Sequence, residues 1–226
     1  MSKSFEHVIS LGEDCFMRSL IDRYTLRDRF KVRMPFDGSV HPYEEVCRLI
    51  DTDFADYGQD ITYESTMFVH AVKGIKWNHE QTTDADNLRV QLAKRVEQFR
   101  SVLSESKGVL FVIHTTSSRV GFDFELLEKA LTKQYPTLNY HILVFNNTMN
   151  EYFRNTIINK TYVNIPWTPP AIYNSDMTMD FIIQMYNTDY GKEYSARVLK
   201  ELCRILNEEY TTYTMKTDYN FSNELN

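Results

Sequence analysis

Hydrophobic positions along this 226-residue chain alternate between short continuous runs and a spacing near 3.6, the marks of buried strands and of one-sided helices. Residues 8–11 predict a first strand, after which Phe16, Leu20, Ile21 and Tyr24 share one helical face. Pro42 ahead of Val46, Leu49 and Ile50 predicts a second helix. The acidic, aromatic stretch 51–60 reads as a loop, 66–72 as a strand and 74–77 as the arm of a short hairpin. Thr83-Asp84-Ala85-Asp86 resembles a capping box and opens the best-patterned helix, with Leu88, Leu92, Val96, Phe99 and Leu103 on one stripe. The runs 109–113 and 141–145 have the unbroken apolar character of strands covered on both faces, and a helix is predicted between them at 123–133.

The C-terminal third reads as a rigid link at 164–170, then helices at 177–186 and 194–210, with a break at Asp189-Tyr190-Gly191 and Val198, Leu202, Ile205 and Leu206 inward. Apolar strands alternating with helices predict an α/β fold: one domain over 1–215, a three-layer sandwich with a mostly parallel, doubly wound sheet and extra C-terminal helices. Residues 216–226 are polar and read as a frayed tail. Ligands of such sheets collect beyond the carboxyl ends of the strands, which selects 12–15 after the first strand and 114–118 after the run 109–113.

Charge narrows the partners. With 25 basic and 31 acidic side chains the net charge is −6, which argues against a nucleic-acid or anionic-membrane binder. The stretch 18–33 is locally basic through Arg18, Arg23, Arg27, Arg29, Lys31 and Arg33; it reads as a solvated surface, or as a rim that attracts an anionic substrate. No apolar run approaches the ~20 residues of a membrane span. Cys15, Cys47 and Cys203 are odd in number and far apart, so neither a disulfide framework nor a zinc ribbon is indicated. With no leader visible at the N-terminus, a reduced, cytoplasmic protein is expected. Glycine-rich phosphate loops and metal-spaced ligand sets are missing, so neither cofactor nor metal is expected. The oligomeric state is left open.

Candidate chemistry centres on Ser10-Leu11-Gly12-Glu13-Asp14-Cys15. A thiol three residues past the glycine that ends a strand stands at the mouth of a strand-to-helix turn, where unpaired N–H groups lower a thiol's pKa and can hold an oxyanion. The turn of Gly12 and Asp14 would then supply backbone donors, and an imidazole would be needed as base. An inert, buried cysteine fits the same position. Cys47 and Cys203 lie in apolar helix faces and read as packing. Of six histidines, His7 and His141 begin strands, His70 lies within one and His41 precedes Pro42 in an exposed turn. His79 stands in a polar loop beside Glu80, and His114 ends a buried strand on the side where Cys15 should lie, so the two compete as base. Asp37, after Pro35-Phe36, could orient an imidazole or pin the turn at Gly38.

Taken together, Ser10-Leu11-Gly12-x-x-Cys15, Pro35-Phe36-Asp37 and Asn78-His79-Glu80 resemble a bacterial family described as papain-like cysteine peptidases, whose pattern runs S-L-G-x-x-C, P-F-D-W and a His-Asp pair. The resemblance spans roughly 7–145 and implies Cys15 as nucleophile and His79 as base. Gly38 stands where the family has Trp, Glu80 where it has Asp, and His114 near its arginine. The opening is also similar to the G-S-C-F-A group related to SGNH hydrolases, whose doubly wound architecture suits the predicted strand order better than a papain-type fold. The expected function is a cysteine-dependent hydrolase or acyltransferase on a small-molecule, glycan or peptide substrate: Cys15 attacks an ester, thioester or amide carbonyl, His79 is the base, and Asp37 or Glu80 orients it. The alternative is a non-catalytic domain that holds a glycan, peptide or anionic ligand in the same crevice.

Overall fold

The structure, a computed structural model, describes residues 5–24, 26, 33–115, 122–166 and 188–213. The elements run β1 (His7–Ser10), α1 (Phe16–Arg23), α2 (Tyr43–Asp51), β2 (Thr62–Glu64), β3 (Met67–His70), β4 (Ile75–Trp77), α3 (Ala85–Glu105), β5 (Val109–Thr115), α4 (Phe124–Gln134), β6 (Tyr140–Asn146), β7 (Phe153–Ile157), β8 (Lys160–Asn164) and α5 (Asp189–Leu206). A 3-10 turn follows at Tyr210–Thr212. The predicted helix at 177–186, most of the link 164–170, the tail 216–226 and Arg27, Arg29 and Lys31 lie outside the described residues.

The fold is α/β. Five strands form a mostly parallel sheet in the order β1-β5-β6-β8-β7, in which β7 is antiparallel to β8, and β2-β3-β4 form a separate antiparallel sheet. Because successive side chains of a strand point to opposite faces, β1, β5, β6 and β8 each feed two cores. Ile9, Phe111, Ile113, Ile142 and Val144 join α2, α3 and α4 in one cluster. Val8, Leu110, Val112, Leu143, Phe145 and Val163 join α1 and α5 in the other. Burial on both faces explains why 109–113 and 142–145 carry no polar residue; His141, at the start of its strand, is buried with Nε2 bonded to Thr161 Oγ1 at 2.9 Å. Among the described residues no helix is long and apolar enough to cross a membrane.

Local chemistry accounts for the element ends. Asp84 caps α3, its Oδ1 accepting from the Asp86 and Asn87 N–H groups at 2.8 and 3.3 Å, and Asp123 does the same for α4 through Glu125. The Thr188 hydroxyl accepts from the Gly191 N–H at 3.1 Å, so Asp189-Tyr190-Gly191 is the first turn of α5 and not the predicted break. The hairpin of β7 and β8 went unforeseen because β7 is solvent-facing along its length and shows no apolar run.

Candidate active site

The opening turn is built from backbone outward. Leu11 N–H donates to Val112 O at 2.9 Å, continuing the β1–β5 ladder one residue past the strand. Gly12 and Glu13 then take left-handed φ angles of +61° and +59°, and the Glu13 N–H donates to His41 O at 2.9 Å. A Cβ on Gly12 would lie 2.9 Å from Val46 Cγ2 and 3.0 Å from His41 Cβ, so this position needs glycine for both its torsion and its space. We expect Gly12→Ala to cost about 2–3 kcal/mol, read as a fall in Tm of roughly 5–10 °C in a thermal melt. Asp14 Oδ1 accepts from the Phe16 N–H at 2.9 Å, and Cys15 O takes the Ser19 N–H at 3.0 Å to start α1. Cys15 is therefore the N-cap residue, but the carboxylate before it does the capping.

The other oxygen of Asp14 carries the principal contact of the site. Oδ2 lies 2.5 Å from His114 Nδ1, and His114 Nε2 lies 2.9 Å from the Tyr194 hydroxyl. A carboxylate can only accept, so Nδ1 holds the ring proton toward Asp14, and Nε2 accepts from Tyr194. His114 is fully buried, with Phe16 packed on its ring at 4.5 Å between centroids. One residue further on, Thr115 hydrogen-bonds the Glu13 carboxyl, whose pKa is raised by burial and by the neighbouring charges of Asp14 and Glu44. Two consecutive acids of the first turn thus grip the two residues that close β5.

The thiol does not behave as its helix position predicts. Burial and then the adjacent Asp14 charge push Cys15 up to about 12, against any lowering by the α1 N-terminus. Burial also raises Cys47 to about 12 and Cys203 to about 11. All three cysteines are free and buried, and the residue exposures are 9% for Cys15 and 1% for the other two.

The remaining candidates sit in ion pairs or in the core. Asp37 Oδ2 accepts from Arg18 Nη1 at 2.9 Å and from the Met34 N–H at 2.8 Å, closing the turn 34–37, while Arg18 Nε donates to Asp22 at 3.0 Å. Arg18 and Arg23 are 3% exposed, so this part of the basic stretch is a buried charge network and not a solvated face. Glu80 takes a bidentate pair from Arg95 at 2.7 and 2.7 Å and a third bond from Arg33 at 3.1 Å. His79, beside it, is lowered to about 4 by burial, with the Arg33 charge adding to the effect and Glu80 opposing it. Its ring is neutral at pH 7.

His41 is the largest departure from expectation: it is fully buried, not exposed, and lowered to about 3 by desolvation. It stands under the Pro35-Phe36-Asp37-Gly38-Ser39 turn. The Tyr57 hydroxyl donates to Pro35 O at 2.6 Å, so His41 Nε2, 3.3 Å away, donates to it, and Nδ1 faces Ser39 Oγ at 3.1 Å. Phe36 packs against His41, Phe54 and Phe99. Gly38 has φ +70°, a torsion at which a tryptophan would be strained.

The structure therefore joins Asp14 to His114 directly. It ties Asp37 to α1 through Arg18 and Glu80 to α3 through Arg95. Tyr194 was not anticipated, and Glu13 and Thr115 were covered only as members of the stretches 12–15 and 114–118. The β1–β5 register, with Ser10 opposite Val112, is the signal that could have found the pairing of Asp14 with His114; nothing in the chain pattern points to Tyr194, 80 residues away. No group of three or more residues suited to a metal ion occurs among the described residues. Neither family models, nor curated proteins, nor solved structures give a match to this chain.

Proposed function

We propose that this chain is a cysteine-dependent hydrolase or acyltransferase in which Cys15 attacks an ester, thioester or amide carbonyl and His114, held by Asp14, takes the thiol proton. The observation that carries this reading is the Asp14–His114 hydrogen bond, made by the residue next to Cys15 at the carboxyl ends of two adjacent parallel strands. His114 is preferred to His79 because a carboxylate is bonded to its ring, whereas Glu80 spends both oxygens on Arg95 and Arg33. The two clusters on opposite faces of the sheet favour a three-layer, doubly wound sandwich forming one domain, and three free thiols suit a reduced, cytoplasmic setting.

With the thiol at about 12 there is no standing thiolate, so the proton must leave Sγ as sulfur attacks, which is general-base and not ion-pair catalysis. Nε2 receives it, Asp14 stabilises the imidazolium, and the same proton goes to the leaving group as the thioester forms. Water or an acceptor nucleophile then releases the acyl group. The N–H groups of Asp14 and Cys15 would hold the oxyanion, those of Glu13 and Phe16 being engaged already. Tyr194 must yield Nε2 before it can accept a proton. The substrate is a small molecule, glycan or peptide.

A recognition domain remains the second reading, favoured by one fact: Asp37, Glu80 and both ring nitrogens of His114 all have partners within the protein. Iodoacetamide labelling followed by mass spectrometry separates the two. We expect Cys15 to react at least about tenfold faster than Cys47 and Cys203, to lose that advantage in His114→Ala and to gain rate in Tyr194→Phe. Labelling of Cys15 no faster than the other two would sink the hydrolase and favour recognition, which in turn requires ligand binding to survive Cys15→Ser.

A further inference from the structure

The two ends of the five-stranded sheet are treated differently. At one end β1 is covered, with Val8, Ile9 and Ser10 all at 7% exposure or less. At the other, β7 ends the sheet among the described residues and is open to solvent at Phe153, Asn155, Thr156 and Ile157. An open edge of this kind is normally blunted by lysine, proline or a bulge. Here the sequence Phe153-Arg154-Asn155-Thr156-Ile157 contains none of the first two, and Arg154, its one charge, is drawn back to Glu201 on α5 at 3.5 Å. Large apolar side chains cluster on and beside it: Tyr152 is 50% exposed, Phe153 45%, Ile157 55% and Ile158 89%. A bare row of backbone donors and acceptors flanked by apolar side chains is a template for another strand.

We infer that β7 is a homodimer interface, pairing antiparallel with β7 of a second copy about a two-fold axis at Asn155 to make one continuous sheet. The choice of a second copy rests on self-complementarity. Antiparallel pairing centred on Asn155 sets Phe153 opposite the partner's Ile157, while Tyr152 and Ile158 flank the ends of the paired strand. The exposed Phe153 then meets an exposed isoleucine at both ends of the pair, the favourable aromatic-to-β-branched pairing of sheets. Arg154 falls opposite the partner's Thr156, so no like charges meet. A two-fold axis repeats each contact and closes the assembly at two chains.

Two measurements on the full chain test this. Size-exclusion chromatography with light scattering should give twice the chain mass, and the Phe153→Lys/Ile157→Lys variant, which sets lysine against lysine in two places, should halve it. A single cysteine placed by Asn155→Cys lies on the axis, where directly opposed residues have Cα atoms ~4.5–5.5 Å apart, within disulfide range. It should cross-link under mild oxidation, and Thr156→Cys on the same exposed strand should not, because its opposite number is Arg154. A wild-type monomer, a dimer that persists in the double-lysine variant, or equal cross-linking at 155 and 156 would each overturn the assignment. None of these outcomes bears on Cys15.

Discussion

Between pH 6.5 and 4.5 the protein is expected to lose about 5 kcal/mol of stability, enough to unfold most domains of ordinary stability. The main cause is two imidazoles that fold neutral, and His7 is lowered by burial in the same direction. His41 is lowered to about 3 and His79 to about 4, both chiefly by burial, from an ordinary value of 6.5. The unfolded chain therefore takes up two protons near pH 6.5 that the native state refuses. Stability contributed by these rings is complete above pH 6.5 and declines as the pH falls, at about 1.4 kcal/mol per pH unit for each ring, until their native pKa values are reached. Glu13 works in the opposite sense: its raised pKa makes the native state the better proton acceptor there, which softens the decline. Urea unfolding at a series of pH values measures the slope directly. We expect close to two protons in the wild type and close to one in His79→Gln. A slope near zero between pH 6.5 and 4.5 would mean that both rings are hydrated in the folded state.

The same two rings show where sequence reading succeeds and where it stops. Strands 109–113 and 141–145 were legible because a strand covered on both faces is apolar along its centre, and the adjacency of β5 and β6 in the core follows from that. The starts of α3 and α4 were legible near 83–86 and 123, because the need for an N–H acceptor is local, although the cap of α3 is Asp84 and not the Thr83 of a capping box, and Asp123 caps α4 from just outside it. His41 was not, because its burial depends on Tyr57, Ser39 and Trp77 closing around it from elsewhere in the chain. Arg18 illustrates the same limit. A run of arginines looks solvated until Asp22 and Asp37 are known to meet it. In the candidate site, Cys15, Asp14 and His114 were all identified as residues of interest, and the carboxyl-end rule placed them near one another. The pairing of Asp14 with His114 needed the strand register, and Tyr194 needed α5 in place. The helix-start argument for a reactive thiol failed because it counted the helix charge alone, and burial beside Asp14 outweighs it.

Glu80→Ala is expected to be the most damaging single substitution at any of the candidate site residues, costing about 3–5 kcal/mol. Its side chain is 1% exposed, and that of Arg95 is 6% exposed; the bidentate bonds at 2.7 Å join two charges that water barely reaches. Removing the carboxylate leaves the Arg95 guanidinium buried opposite Arg33, a second cation, which had shared the same acid at 3.1 Å. The loss is therefore chiefly the cost of the uncompensated buried Arg95 charge and not the modest net worth of the ion pair itself. That distinction gives the prediction its check. Glu80→Leu combined with Arg95→Met removes charge and counter-charge together and should be more stable than Glu80→Leu alone, whereas independent contributions would make the double variant worse. Melting temperatures of the three variants decide the matter. The same series separates structure from catalysis at this loop. If Glu80 acts only by neutralising Arg95 and Arg33, the double variant should recover part of the stability lost in Glu80→Leu, Arg33 still lacking this acid, without altering the reactivity of Cys15 set by His114. A Cys15 labelling rate that collapses in the refolded double variant would instead place the His79–Glu80 loop in the reaction.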